Sequence, residues 1–318
     1  MTTGTTILII HHEQDRYFDT LCRRFPDLLF HSARNDAEVA QKMAELQPQI
    51  LLSFRCDPIS TKAQSMAART PCVKWVQVAG AGYDHLGDLD ELKCQVTNCS
   101  GVLSRFQAET VIGAMINLNF GFYRYQQQQR EKLYRKLPWR SLEGQKLLLL
   151  GMGHIGRAVA VNARHFGMHI TAIRSRIQDS PEADVVCTAD ELPVLLPEVD
   201  FVSLHLPYCK ETHHFFDAKM FGAMKESAYF INTARGNIVD EDALIAALKE
   251  KRIAGAYLDV FREEPLPQLS QLWQLDNLLL TPHYCDAVDD WHERFADFFA
   301  DNLQRWIAGE ELHNSLKK

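Results

Sequence analysis

The chain has 318 residues, 46% of them hydrophobic and 24% charged, with a formal charge of −7 at pH 7. That length exceeds the roughly 250–300 residues at which a single hydrophobic core stops growing, so two domains are expected. The acidic balance speaks against a nucleic-acid partner, which would want a basic face. No apolar run approaches the roughly 18 residues of a membrane helix.

In chain order, MTTGTT leads directly into an apolar strand at 6–10 that ends in His11-His12-Glu13. The paired histidines invite a metal reading, but no further ligand stands at useful spacing, so a solvated strand end and no metal are expected. Helices at 17–25, 36–46 and 61–69 alternate with strands at 28–31, 50–54, 73–78 and 96–98. This β-α-β-α order predicts a small parallel α/β domain with helices on both faces. The strand at 73–78 runs into Ala79-Gly80-Ala81-Gly82, where consecutive backbone amides stand almost bare of side chain. Such a concavity suits a carboxylate, and a plain tight turn is the equal alternative. Residues 104–134 read as one long helix or two joined helices, with Gln126 to Gln129 as a solvated polar face.

A second alternation follows. Leu147 to Leu150 form an unbroken apolar run, then Gly151, Gly153 and Gly156 fall at G-x-G-x-x-G spacing, and Ile155, Val159 and Ala163 begin a helical stripe. In this order the first glycine permits the turn, the second admits a pyrophosphate, and the third lets the helix pack on the strand. The free amides of the helix's first turn face the anion. Further strands are expected at 169–173, 185–186, 201–206, 229–233, 254–258 and 278–281. Helices are expected at 217–224 and 240–250, with Asp240 as N-cap. A tail helix at 287–309 should return to the first domain. The fold class is therefore α/β, with two doubly wound parallel-sheet domains: residues 1–101 with 287–318, and residues 102–286. The eight cysteines include no C-x-x-C pair, and in a chain this long they read as reduced thiols of a cytoplasmic protein.

A dinucleotide fold normally sets an acid about 20 residues past the glycines, on the adenosine ribose. Here the strand at 169–173 ends in Arg174-Ser175-Arg176 instead. An arginine there would suit a 2′-phosphate, so NADP(H) is the expected cofactor and NAD(H) the alternative.

Six segments now resemble the D-isomer-specific 2-hydroxyacid dehydrogenases: AGAGYDHL (79–86), LLLLGMGHIGRAVA (147–160), VDFVSLHLPYCKETHHFF (199–216), FINTARGNIVDEDAL (230–244), AGAYLDVFREEPLP (254–267) and NLLLTPH (277–283). Among subgroups the chain is most similar to the glyoxylate/hydroxypyruvate reductases. The resemblance implies a flavodoxin-like substrate domain, a Rossmann-type dinucleotide domain, and reduction of a small 2-oxo acid to its D-2-hydroxy acid. Bulkier 2-oxo acids, or a non-catalytic NAD(P)-binding sensor of the corepressor type, are the alternatives. It further implies three catalytic residues. Arg235 would grip the substrate's carboxylate and carbonyl oxygen. His283 would be the proton donor, and Glu264 would hydrogen-bond it and favour its charged form, with Glu263 as an adjacent rival. Ala81, Gly82, Leu52 and Ser53 would meet the substrate. The His154 and Ile155 N–H groups would meet the pyrophosphate, and Thr110, Leu206, Pro207, Thr212, Thr233, Ala234 and Asp259 would join the glycine turn around the cofactor, Asp259 at the carboxamide. Hinges near 101–103 and 284–286, and a homodimer formed through the long helix and residues 134–139, belong to the same resemblance. His205, His213 and His214 are expected as structural or surface residues. After Thr281-Pro282-His283, this chain departs from the family with Tyr284-Cys285-Asp286. Asp286 is expected to cap the tail helix, with a second acid beside His283 as the alternative.

Overall fold

The computed structural model describes residues 4–316, so Met1–Thr3 of the N-terminal stretch lie outside the described residues. The elements run β1 (Thr6–Ile10), α1 (Phe18–Arg24), β2 (Leu29–Ala33), α2 (Asp36–Leu46), β3 (Ile50–Phe54), α3 (Thr61–Ala68), β4 (Trp75–Ala79) and β5 (Gln95–Asn98). Then come α4 (Ser104–Phe120), α5 (Phe122–Glu131), β6 (Lys146–Leu150), α6 (His154–His165), β7 (His169–Ile173), β8 (Val185–Cys187), α7 (Leu192–Leu195) and β9 (Phe201–Leu204). The chain closes with α8 (Ala218–Ala223), β10 (Tyr229–Asn232), α9 (Glu241–Lys249), β11 (Gly255–Leu258), β12 (Leu278–Leu280) and α10 (Trp291–Ala308). It divides into two compact units, residues 1–102 with 288–318, and residues 103–287.

The first unit holds a five-stranded sheet in the order β2-β1-β3-β4-β5, every neighbouring pair parallel. β1 and β3 are buried along their whole length, which is why both read as unbroken apolar runs rather than alternating ones. The chain winds outward from β1 to β2 and then crosses back to β3, so the switch point of this sheet lies between the carboxyl ends of β1 and β3. The tail returns here as α10. Its apolar stripe of Phe295, Ala296, Phe299, Ala300 and Leu303 is buried, and Phe299 and Trp306 stack on Trp75 at 5.3 and 5.5 Å between ring centres.

The second unit holds a seven-stranded, wholly parallel sheet in the order β12-β11-β10-β9-β6-β7-β8. Its switch point lies between β6 and β9. The segment 104–131 is two helices, because Gly121 at φ +82° turns the chain between them. Asp240 caps α9 by accepting the Ala243 N–H at 3.2 Å. All eight cysteines are free thiols, and no described helix is long and apolar enough to cross a membrane.

Three local expectations fail. The strand after residue 201 stops at Leu204, since His205 and Leu206 leave the sheet and form the edge beside the glycine turn. Asp286 caps no helix: Asp290 stands at the N-cap position of α10. His11 is not solvated. It is 0% exposed, because its ring stacks on Phe54 at 4.1 Å and its Nδ1 meets the Tyr17 hydroxyl at 2.8 Å.

Candidate active site

Within the second unit, the loops that follow β6, β9, β10, β11 and β12 leave the same carboxyl edge of the sheet, where ligands of doubly wound folds bind. The glycine turn occupies the β6 position. Gly151 adopts φ +103°, and a Cβ there would stand 2.6 Å from the His205 carbonyl oxygen. Gly156 packs harder still, 2.2 Å from the Gly151 carbonyl oxygen by the same construction. A Cβ on Gly153 would meet nothing within 4 Å. Two glycines are therefore demanded by close packing, and the third keeps the mouth of α6 open. The first-turn amides of α6, at His154 and Ile155, have no carbonyl one turn earlier to bond. Across the switch point, His205 donates its backbone N–H to Leu150 at 2.8 Å. Its Nε2 meets Ser203 at 2.9 Å, and burial pushes its pKa down to about 3. It is a neutral structural ring.

After β7, Arg174 is half-buried while Ser175 and Arg176 are exposed. The Arg174 guanidinium is anchored by Ser180 and Gln178, both at 2.9 Å. The hydroxyl of Thr212, further along the β9 loop, bonds back to the Pro207 carbonyl at 2.8 Å, which fixes the turn that carries Leu206 and Pro207.

After β10, Asn232 pins the Thr233–Arg235 turn from both sides. Its Oδ1 accepts the Ala234 N–H at 2.9 Å and its Nδ2 donates to the Arg235 carbonyl at 3.1 Å. Arg235 is half-buried, with Nη1 donating to the Ala234 carbonyl at 2.7 Å. Buried Gln107 on α4 donates to the Thr233 carbonyl at 2.7 Å, a support 126 residues away in sequence that no local pattern announces. The Thr233 side-chain oxygen is buried and has no partner among the described residues.

After β11, Glu264 accepts the Phe261 N–H at 3.0 Å on Oε1 and meets His283 Nδ1 at 2.8 Å through Oε2. Glu263, next to it, is exposed. After β12, His283 holds a left-handed backbone at φ +53°, uncommon for a residue with a Cβ. Its N–H donates to the Asp259 carbonyl at 2.8 Å. Asp259 is 0% exposed. Its carboxylate accepts the N–H groups of Tyr284 at 2.9 Å and Cys285 at 3.2 Å, and also the Thr281 hydroxyl. Tyr257 meets Thr281 at 2.7 Å behind it. Asp259 is therefore first a clamp on the His283 loop. Thr110 reaches the same loop from α4, its hydroxyl 2.6 Å from the Cys285 carbonyl. Half-buried Asp286 has its pKa raised by burial and by the charge of Asp259, against the opposing pull of His283 and Arg235.

In the first unit, the amides of Ala81 and Gly82 follow the end of β4, and neither has an acceptor among the described residues. Asn98 steadies this turn by donating to the Ala81 carbonyl at 2.7 Å. Ser53 is buried and points its hydroxyl to Gln64 at 2.5 Å, so its side chain faces the core and only its backbone, like that of buried Leu52, is left for a ligand.

The parallel switch-point fold and its open glycine turn define a dinucleotide-binding protein of the doubly wound class. A sequence profile described as the D-isomer specific 2-hydroxyacid dehydrogenase, NAD binding domain, matches residues 112–285. A glyoxylate reductase of Korarchaeum cryptofilum is 35% identical over 269 residues, covering 82% of this chain and 80% of the other. A glyoxylate/hydroxypyruvate reductase B of Citrobacter koseri is 43% identical over 168 residues, 52% of each chain. The crystal structure of a D-isomer specific 2-hydroxyacid dehydrogenase from Xanthobacter autotrophicus Py2, in complex with NADPH and MES, matches with a TM-score of 0.82 at 27% identity over 98% of both chains. The chain belongs to the D-isomer-specific 2-hydroxyacid dehydrogenase family.

Proposed function

We propose that this protein reduces a small 2-oxo acid, glyoxylate or hydroxypyruvate, to the D-2-hydroxy acid with NADPH. The observation that carries the reading is the Glu264–His283 pair at 2.8 Å, on the same sheet edge as Arg235 and the glycine turn. A carboxylate on Nδ1 fixes the ring and leaves Nε2 to meet the substrate oxygen.

The residues present fit a nicotinamide dinucleotide. The space beyond Gly153 is free of protein atoms within 4 Å of a built Cβ, and the mouth of α6 offers free amides to a pyrophosphate. The unpartnered Thr233 oxygen is a polar group awaiting a ligand, and Ala234 lies beside it. When bound, the nicotinamide supplies the hydride that the carbonyl carbon receives. The protein's own part is binding and proton delivery. Arg235 would hold the substrate carboxylate and polarise the carbonyl with its planar fork. His283 would pass the Nε2 proton to the developing alkoxide, while Glu264 stabilises the imidazolium that gives it up. In the first unit, the unpartnered amides of Ala81 and Gly82 suit a carboxylate.

Preference for NADPH rests on Arg174 and Arg176 at the β7 end, with no acid in their place. The family resemblance extends the proposal to a homodimer through α4, α5 and the arm that follows, where Tyr134 is 101% and Trp139 56% exposed. The eight free thiols support a cytoplasmic setting. The test is the loss of reduced-nicotinamide absorbance with glyoxylate, hydroxypyruvate, pyruvate and phenylpyruvate, run with NADPH and NADH in parallel. Turnover of the two small acids with NADPH is the expected result. Turnover of only the bulkier acids would overturn the substrate, and tight NADPH binding without turnover of any acid would overturn catalysis.

A further inference from the structure

His11 and His12 follow β1, and Cys56 follows β3, so all three stand at the switch point of the five-stranded sheet. Each offers one ligand atom, and the three atoms lie within 4.8 Å of one another. The third ligand that the sequence around His11 lacks thus arrives from a different strand. We propose that His11, His12 and Cys56 bind a zinc-like divalent cation.

The ring nitrogens give the first argument. His11 is 0% exposed, and its Nε2 has no partner among the described residues. His12 Nδ1 is likewise buried and unpartnered. Buried polar atoms of native proteins are nearly always paired, and two adjacent exceptions on imidazoles call for an unseen ligand. His11 is also oriented as metal-ligating histidines are. With its proton on Nδ1, it donates to the Tyr17 hydroxyl at 2.8 Å and turns the Nε2 lone pair away. Stacking on Phe54 at 4.1 Å holds the ring in that plane.

The charges give the second argument. Glu13 follows His12 and Asp57 follows Cys56, so an acid stands next in sequence to each of these two ligands. The Glu13 carboxylate also stands 3.7 Å from His12 and 3.1 Å from His292. This acidic surround favours a cation at the cluster. The opposing charge is Arg16, which meets His292 Nδ1 at 3.1 Å. Its position disfavours the other candidate group, His11 with Glu13 and His292, and leaves the cysteine side as the better seat. Two imidazoles and a thiolate select zinc or cobalt over magnesium or calcium, which want oxygen ligands. Three protein ligands leave a fourth position open to water. As the metal–sulfur bond forms, the Cys56 thiol gives its one proton to solvent, with no change of oxidation state.

The experiment uses the full chain, stripped with a chelator and titrated with Co²⁺ as an optical reporter. The expected result is one equivalent bound, a thiolate-to-cobalt charge-transfer band, and release of about one proton. In Cys56→Ser the band disappears. In that variant and in His12→Ala the affinity falls by more than about tenfold, the scale on which even a lost outer-shell partner acts. Cys209→Ser, which removes the exposed thiol, should behave as wild type. A wild-type protein without the band, or a band that survives Cys56→Ser, overturns the proposal. His12 and Cys56 are half-buried, and the wild-type band decides the matter alone if a variant proves unstable.

Discussion

Gly236 and Phe261 meet backbone to backbone: a Cβ on Gly236 would lie 2.0 Å from the Phe261 carbonyl carbon. The contact joins two loops with separate duties. Gly236 follows Arg235 directly, and Phe261 donates its N–H to Glu264 at 3.0 Å. The spacing between Arg235 and Glu264 is thus set by the absence of one methyl group. Gly236→Ala must push the loops apart, at a cost of about 3 kcal/mol or more. Its thermal midpoint should fall by roughly 6–12 °C. Gly153→Ala, with free space around it, should melt near wild type and instead bind NADPH more weakly by fluorescence titration. Equal melting of all three proteins would refute this account of the glycines.

His283→Ala should lower kcat by roughly 10²–10⁴-fold while NADPH binding is kept. Glu264→Gln can still reach the ring and should cost less, with the loss falling on kcat rather than on KM. Steady-state kinetics beside cofactor titration separates these outcomes. A His283→Ala enzyme with near wild-type turnover would remove the histidine from its role.

At the β7 end, Arg174→Asp places a carboxylate where an adenosine 2′-phosphate is expected and removes a charge-assisted donor worth about 1.5–3 kcal/mol. The ratio of kcat/KM for NADPH over NADH should fall by at least about tenfold. If the ratio holds, Arg176 becomes the candidate, since its side chain is exposed and unencumbered by the Ser180 and Gln178 anchors of Arg174.

Asp286 makes a prediction with a defined pH sign. Its pKa is raised in the folded protein, first by burial and then by Asp259. The folded state therefore holds this proton more tightly than the unfolded chain does, and stability is lost as pH rises from the unfolded value toward the folded one. Asp286→Asn should raise the thermal midpoint at neutral pH by a few degrees, on the order of 1 kcal/mol. The gain should fade below about pH 4, where the unfolded carboxyl is also protonated. A variant no more stable than wild type at neutral pH would show that the carboxylate is solvated after all.

The parts of this molecule legible in sequence are those with local causes. Buried parallel strands such as Leu147–Leu150 announce themselves as apolar runs, and Asp240 announces the start of α9. The glycine turn is readable because two of its glycines answer close packing and the third leaves the mouth of α6 open. What stayed hidden depends on distant partners. Nothing near Thr233 points to Gln107, and nothing near His11 points to Cys56 or to the Phe54 and Tyr17 rings that bury it. Asp286 misled because an acid shortly before a helical stripe resembles a cap. Only the start of α10 at Trp291 shows that Asp290 has that position.

Arg235, Glu264, His283 and the glycine turn all belong to the unit formed by residues 103–287, and the amides of Ala81 and Gly82 to the other. The proposed proton donor and cofactor cradle are therefore inherited together as one continuous stretch of chain. Ala81 and Gly82 contribute none of the hydrogen bonds described above among His283, Glu264 and Asp259. A lineage built this way can acquire new substrates by remodelling one module while its reaction stays constant.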